Sequence, residues 1–330
     1  KITGDTSFLY DYGAEMIAEI CRMLASRGDW NGAGQYGYYG VMGPDEFQMM
    51  VNHNSYTNYM ARATFEYALS VMQQMRADVP DRYDALVQKL SLDEKELTNW
   101  RGMADHMYIP YDDQSKLYEE HEGYFHLPHV DIDRIPIEDF PLYHHWTYDR
   151  IYRNDMIKQP DVLMLMFLYN TRFSEEQKRA NYEYYEPRCI HESSLSPSVH
   201  SILASELKKH DLAYRFFGFA TRMDLDNYNR NTAEGLHTTS IAAAWMNIVY
   251  GFGGMRSDGE ALSFNPSIPQ GWSGYSFHVV YAGDVIAVQV GNQSVLFHSR
   301  EKDVPVTVYG RDTVITRDGV TLSIPPEWRG

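Results

Sequence analysis

Through most of the chain apolar residues return every three or four positions, and over the last stretch the rhythm changes to alternation. From Asp5 to Ser26 the residues Leu9, Tyr12, Ile17, Ile20 and Leu24 keep helical spacing, with Asp5 or Thr6 placed to cap the first turn. The same period predicts helices over 55–74, 82–90, 93–106, 161–169, 174–184, 198–210 and 211–222, and a last one from near His237 to before Gly251. Between them, residues 108–154 have no clear period and carry Pro110, Pro128, Pro136 and Pro141; a connection of this length reads as a functional loop. After Gly254, runs such as Val285-Ile286-Ala287-Val288-Gln289-Val290 and Val304-Pro305-Val306-Thr307-Val308 alternate and are broken by Gly and Asp turns. They predict the antiparallel strands of a small β-sandwich over 275–325. The expected fold is therefore mainly α, with a helical part over 1–256 and a β-sandwich over 257–330. Successive helices joined by long loops are compatible with an α/α toroid, which holds more helices than this pattern supplies, so the chain would contain only its later part.

Composition narrows the function classes. A chain of 330 residues can bury a large core, and its net charge of -16 argues against neutralising nucleic-acid phosphates or anionic lipid. Neither a nucleic-acid partner nor a membrane is expected: the longest apolar run, around 162–169, is too short for a span. The first residues, Lys1-Ile2-Thr3-Gly4-Asp5, have neither signal-peptide regions nor a start methionine, which suggests a fragment. Two distant cysteines, Cys21 and Cys189, give no disulfide framework and fit a reducing, cytoplasmic compartment. Histidines show no His-Glu-x-x-His run; His144-His145 is the nearest approach to a cluster, and neighbouring helical residues point apart, so no metal is expected. Tyrosine leads an aromatic content of 14%, and rings with a polar tip suit sugar faces as well as cores.

Four places could carry chemistry. Glu46 follows a Gly-Pro turn within Tyr38-Tyr39-Gly40-Val41-Met42-Gly43-Pro44-Asp45-Glu46-Phe47. A glycosidic general acid needs a raised pKa, and walls made by Tyr36, Tyr38, Tyr39 and Phe47 would raise it by penalising the charged form. Pro44, Asp45 and Glu46 are equally what opens a helix. The run Glu234-Gly235-Leu236-His237-Thr238-Thr239-Ser240 stands at a helix start, where unpaired N–H groups favour an anion, although Thr238 or Thr239 would also serve as a plain cap. A second hydroxyl cluster, His191-Glu192-Ser193-Ser194-Leu195-Ser196-Pro197, also precedes a helix. Neither resembles a glycine-rich nucleotide loop, so the anion in question is inorganic phosphate. Lys158-Gln159, just before Pro160, offers an ammonium and an amide of the kind that hold sugar hydroxyls, or two surface residues.

Taken together these blocks resemble glycoside hydrolase family 65, the α-glucoside phosphorylases that include those of maltose, trehalose and kojibiose. The resemblance rests on Gly40 to Phe47 with Asn54-Ser55-Tyr56-Thr57-Asn58, on Lys158-Gln159-Pro160-Asp161-Val162-Leu163, on His191 to Pro197, and on Gly235 to Ser240 continuing to Gly251-Phe252-Gly253-Gly254-Met255-Arg256. It implies an (α/α)6 catalytic barrel, here its later part, followed by the small C-terminal β-domain. It implies that Glu46 is the general acid, that Lys158 and Gln159 hold the glucosyl unit, and that Ser193, Ser194 and His237 bind phosphate with help from Thr238 and Ser240. Phosphate would attack the anomeric carbon from the face opposite Glu46, giving β-glucose 1-phosphate with inversion and with no metal or organic cofactor. A homodimer formed through the full-length protein is implied too. Gln48 departs from the histidine of many members, and the family's Trp-Asp pair that grips glucose would lie before Lys1. The wording around Glu46 is most similar to the glucosylglycerol phosphorylase branch, in which Tyr143 would contact the acceptor. The alternatives are a hydrolase of the same family, using Glu192 or Glu234 as a base, and a non-catalytic carbohydrate-binding fragment.

Overall fold

The structure is a computed structural model that describes residues 2–330. The helix Ser55–Asp78 organises the first part. It starts at Asn54, whose side chain accepts from the Thr57 N–H, and runs without an interior Gly or Pro. Ala14–Arg27, Pro80–Leu90, Glu94–Asp105 and Asp161–Leu168 all pack on it. Ala14, Ala18 and Cys21 make the inner face of the first helix small, so the two axes approach over Phe65, Ala68 and Met72. Local signals fix the other boundaries. Asp93 caps Glu94–Asp105, and a Ser174/Gln177 capping box starts Glu175–Tyr185.

A second helical group, Asp161–Leu168, Glu175–Tyr185, Ser196–Glu206, His210–Asp226 and Thr238–Met246, surrounds Leu163, Met166, Tyr182, Ile202 and Leu203. Asp161–Leu168 is apolar on nearly all sides and is the shared wall of the two groups. One buried ion group ties these helices to the chain that leads into the β-strands. Glu206 accepts from Lys178 Nζ, Arg256 Nη2 and Asn170 Nδ2, each at 2.7 Å. Burial pushes the Glu206 carboxyl up, but the Arg256 and Lys178 charges outweigh it and draw it down to about 2.

The helical expectations hold to within about a turn, and the differences are informative. The last helix passes through Gly251 as a wider π-helical turn, Asn247–Phe252. Pro44-Asp45-Glu46 opens no helix; it is a turn whose backbone is captured by distant side chains. The proline-rich 108–154 segment contains short helical turns, among them Leu142–His145 and Tyr148–Ile151.

The C-terminal part holds two sheets. Val320–Ser323, Ser294–Ser299, Asp284–Gly291 and Gly274–Tyr281 form an antiparallel four-stranded sheet in that order. Arg311–Ile315, Val304–Val308 and Leu262–Phe264 form the other, in which the last pair is parallel. The expected all-antiparallel sandwich is corrected here: Leu262–Phe264 arrives from the helical part and joins by a long crossover, which makes a parallel neighbour possible. Ile286, Val288 and Val290 alternate inward from one sheet to meet Phe264, Val306 and Val308 of the other. Val249 and Met255 belong to the same cluster.

Among the described residues, large exposed apolar side chains cluster around the first and last helices. Phe8, Tyr12, Met16, Ile20 and Met23, one side of the first helical stretch, are exposed, as are Leu236, Ile241 and Trp245 around the last helix. No described helix is long and apolar enough to cross a membrane.

Candidate active site

Glu46 is presented by a turn held from beneath. A Cβ on Gly43 would overlap Asp161 and Asn54, so only glycine lets the chain pass there. The Asp45 N–H donates to Asp161 Oδ1 at 2.7 Å, and Asp45 Oδ1 accepts from the N–H groups of Phe47 (3.2 Å), Lys158 (2.8 Å) and Gln159 (3.2 Å). Phe47 is buried with Leu142, Ile151, Met156 and Ile190. With both neighbours anchored inward, the Glu46 side chain turns out and remains 52% exposed.

Its carboxylate is gripped at once by the two residues expected to hold sugar. Glu46 Oε2 accepts from Lys158 Nζ at 2.5 Å and from Gln159 Nε2 at 2.9 Å, while the Glu46 N–H donates to Gln159 Oε1 at 3.1 Å. Burial pushes the carboxyl up, yet the hydrogen bonds from Lys158 and Gln159 and the ammonium charge overcome it, so it lies below the ordinary range. The expected raised pKa is therefore absent in this state, and so are the expected walls. Tyr36 and Tyr38 point into the first core with their hydroxyls on the Leu24 and Ala25 carbonyls, Tyr39 packs on His53, and Phe47 faces inward. Tyr143 does reach the site, its ring 4.7 Å beneath the Lys158 ammonium, and Tyr152 lies close enough to feel the Glu46 charge.

Tyr143 extends the site. Its hydroxyl donates to Glu234 at 3.2 Å, and His144 Nε2 lies 3.1 Å from the same carboxylate. Glu192 is buried; one oxygen accepts from the Leu142 N–H at 2.5 Å and the other has no partner. Burial pushes Glu192 up to about 7, with the Leu142 N–H and the Lys158 charge working against it. Next to it, Ser193 Oγ accepts from the Leu195 N–H at 3.2 Å, and the Ser194 hydroxyl has no hydrogen bond among the described residues. The Asn229 side chain donates to the His191 carbonyl at 2.9 Å, tying this loop to the one that leads to His237.

His237 is oriented by a residue that the sequence pattern did not single out. Its Nδ1 lies 2.5 Å from Asp224 Oδ1, and its N–H donates to Asp224 Oδ2 at 2.9 Å. Thr238 is exposed on the first turn. Ser240 is buried, and its hydroxyl donates to the Ala220 carbonyl at 2.7 Å, which ties it to helix packing. Among the described residues no hydrogen bond joins Ser193 or Ser194 to His237, so the three stand as two groups.

The histidine pair that drew attention in the sequence forms no cluster, since His144 turns to Glu234. Cys189, His191 and His200 instead bring one potential ligand atom each within 4.8 Å of one another. His191 Nδ1 is 3.1 Å from Ser196 Oγ, and His200 Nδ1 2.8 Å from the Ser196 carbonyl. Burial draws His200 down to about 4, lowers His191 as well, and pushes Cys189 up to about 12, so all three are neutral around Ser196.

Known proteins match this chain along nearly its whole length. Residues 1–246 match the glycosyl hydrolase family 65 central catalytic domain, and residues 255–317 match the C-terminal domain of that family. An alpha,alpha-trehalose phosphorylase of Thermoanaerobacter brockii is 40% identical over 96% of the chain, and a maltose phosphorylase of Bacillus subtilis is 39% identical over 94%. The chain spans 41% of the length of each. A solved structure described as "Putative kojibiose phosphorylase from human microbiome" superposes with a TM-score of 0.90 and 46% identity, over 98% of this chain and 44% of that one.

Proposed function

The chain belongs to glycosyl hydrolase family 65, and on that premise we propose that it carries the acid side and the phosphate side of an inverting α-glucoside phosphorylase. The observation that carries the reading is the Glu46 turn, an exposed carboxyl on a rigid base with Lys158 and Gln159 on the same oxygen. An ammonium and an amide that bind a carboxylate also bind sugar hydroxyls. When the glucosyl unit takes those two donors, Glu46 loses what lowers its pKa while burial by the sugar raises it. The carboxyl then holds a proton for the leaving-group oxygen only when substrate is present. Phosphate, held by Ser193, Ser194 and His237, attacks the anomeric carbon from the opposite face. The Asp224 carboxylate supports this by fixing the His237 ring. The products are β-glucose 1-phosphate and the free acceptor; phosphate is a co-substrate, and these steps use no cofactor.

In the same proposal the helices belong to an (α/α)6 barrel, and the bare faces of the first and last helices meet its remaining helices. Tyr143, bound to Glu234, lines the acceptor side, and pairing of two copies involves the full-length protein. A family-related hydrolase is the second reading. Glu192 favours it, because a carboxyl near 7 with an unpartnered oxygen suits a base that activates water.

Phosphate release by the intact protein from β-glucose 1-phosphate, offered with glucose, glycerol, rhamnose and disaccharides, tests the proposal. Release with one acceptor supports the phosphorylase and names its partner sugar. Glucose formation from α-glucosides without phosphate would replace it with the hydrolase, and inactivity in both assays would favour a non-catalytic carbohydrate-binding role.

A further inference from the structure

Beneath Glu46 lies a group of acids that the proposed reaction leaves unused. Asp45, Glu120 and Asp161 are each at most 1% exposed, and they come from three separate segments. Asp161 is satisfied, with the Asp45 N–H on one oxygen and Asn54 Nδ2 on the other at 2.9 Å. Asp45 engages Oδ1 three times; among the described residues no N–H or O–H group donates to its Oδ2 or to either carboxyl oxygen of Glu120, and the two carboxyls lie within hydrogen-bonding reach of each other. Among the described residues no Lys, Arg or His side chain forms an ion pair with any of the three. Fully ionised, this group would put three bare oxygens and three like charges into a dry interior, which is strongly unfavourable.

One proton resolves most of that cost. Placed on Glu120 and donated to Asp45 Oδ2, it removes a charge and partners two orphan oxygens in a single hydrogen bond. We propose that Glu120, protonated and donating to Asp45 Oδ2, is a positioning residue for the acid at Glu46. Burial first, then the Asp45 and Asp161 charges, push Glu120 well above the usual carboxylate range; burial raises Asp45 and Asp161 too, but both accept from N–H donors that hold them ionised, and the Glu120 carboxyl has no such donor. The other titratable groups facing Glu120 are Cys189, Tyr124 and Tyr185, all neutral at ordinary pH.

The path from Glu120 to the acid is short. Asp45, fixed on its free side by Glu120, holds the Lys158 and Gln159 N–H groups with its other oxygen, and those two side chains hold Glu46. Glu120 acts a second time through its carbonyl, which accepts from the Ser55 N–H at 2.7 Å and from Asn54 Nδ2 at 3.3 Å. Asn54 in turn holds Asp161, and Asp161 holds the Asp45 N–H. The donor needed from the Glu120 side chain is uncharged, so an amide N–H can replace it.

The inference rests on Glu46 being the acid, and three variants of the intact protein separate the two claims. In Glu120→Ala, kcat/KM should fall about 100-fold, the scale of a small misplacement at a reacting centre. Glu120→Gln should restore it to within about threefold. Wild-type protein at pH 8 should show the infrared C=O stretch of a protonated carboxyl that Glu120→Gln lacks, and this reading stands even if Glu120→Ala does not fold. Glu120→Gln as impaired as Glu120→Ala, Glu120→Ala as active as wild type, or no such infrared band would each overturn the positioning role. Unchanged turnover in Glu46→Gln would remove the acid assignment alone, leaving the infrared band to decide the proton on Glu120.

Discussion

Glu206 and Glu120 are both buried acids in the helical part, and they are accommodated in opposite ways. Glu206 keeps its charge because Lys178, Arg256 and Asn170 surround it, and its pKa falls to about 2. Glu120 has, among the described residues, no cationic partner and two acidic neighbours, and its pKa is driven well above normal. The first arrangement suits a joint, since a charge with three donors fixes helix, loop and β-part together. The second suits a platform under reactive groups, because its hydrogen bonds run to backbone N–H groups that aim side chains at Glu46. On the proposed reading, the compensated acid marks a joint and the uncompensated one a platform under the acid at Glu46.

Breaking the working side should have the largest effect. Glu46→Gln keeps the shape of an exposed side chain, so kcat should fall about 10²–10⁴-fold with thermal stability unchanged, read by phosphate release and a melting curve. Breaking the joint comes next. Glu206→Ala leaves Lys178 and Arg256 without their counter-charge and should cost about 3–5 kcal/mol in denaturant unfolding, with the turnover of molecules that remain folded near normal.

Acidity sharpens the contrast because the two kinds of carboxyl give slopes of opposite sign. Glu206 has a folded pKa near 2 against an unfolded value of about 4.3, so its stabilisation is complete above about 4.3 and is lost as pH falls towards 2. Glu192 has a folded value of about 7, so the unfolded chain ionises first and stability is lost as pH rises from about 4.3 to 7. Glu192→Gln should accordingly stabilise the protein by roughly 1–3 kcal/mol at pH 8 and not at pH 4, measured by denaturant titration at both. The smallest effect expected is that of Tyr143→Phe, which removes one hydrogen bond to Glu234. It should weaken acceptor affinity by about 0.5–1.5 kcal/mol, seen as a higher KM for the acceptor with kcat nearly kept.

The helices of this architecture are more legible in the sequence than the side-chain contacts that join its distant segments. Helix positions came from a period that each segment carries by itself, and caps such as Asn54, Asp93 and Ser174 lie within three residues of what they bind. The motif blocks also point to Glu46, Lys158 and Gln159, and the likeness to the glucosylglycerol phosphorylase branch adds Tyr143; the structure brings the four together. Glu120 gave no local signal, because its partners stand 75 residues before it and 41 after it, and nothing in Tyr118-Glu119-Glu120-His121-Glu122 says which acid turns inward. The acidity of Glu46 is hidden in the sequence for a related reason. Rings adjacent in sequence need not share a direction, and Tyr36 and Tyr38 turn their hydroxyls to the first helix instead of their faces to Glu46.

The bare stripe of Phe8, Tyr12, Met16, Ile20 and Met23 has a consequence for handling this polypeptide. Five large apolar side chains within one arc of a helix form a continuous water-facing band of the kind that soluble monomers rarely leave open. In dilute buffer the net charge of -16 keeps copies apart, but salt screens that repulsion and strengthens the attraction between bands. Light scattering from the 330-residue polypeptide should therefore grow with ionic strength, the reverse of what salt does to an assembly held by charge.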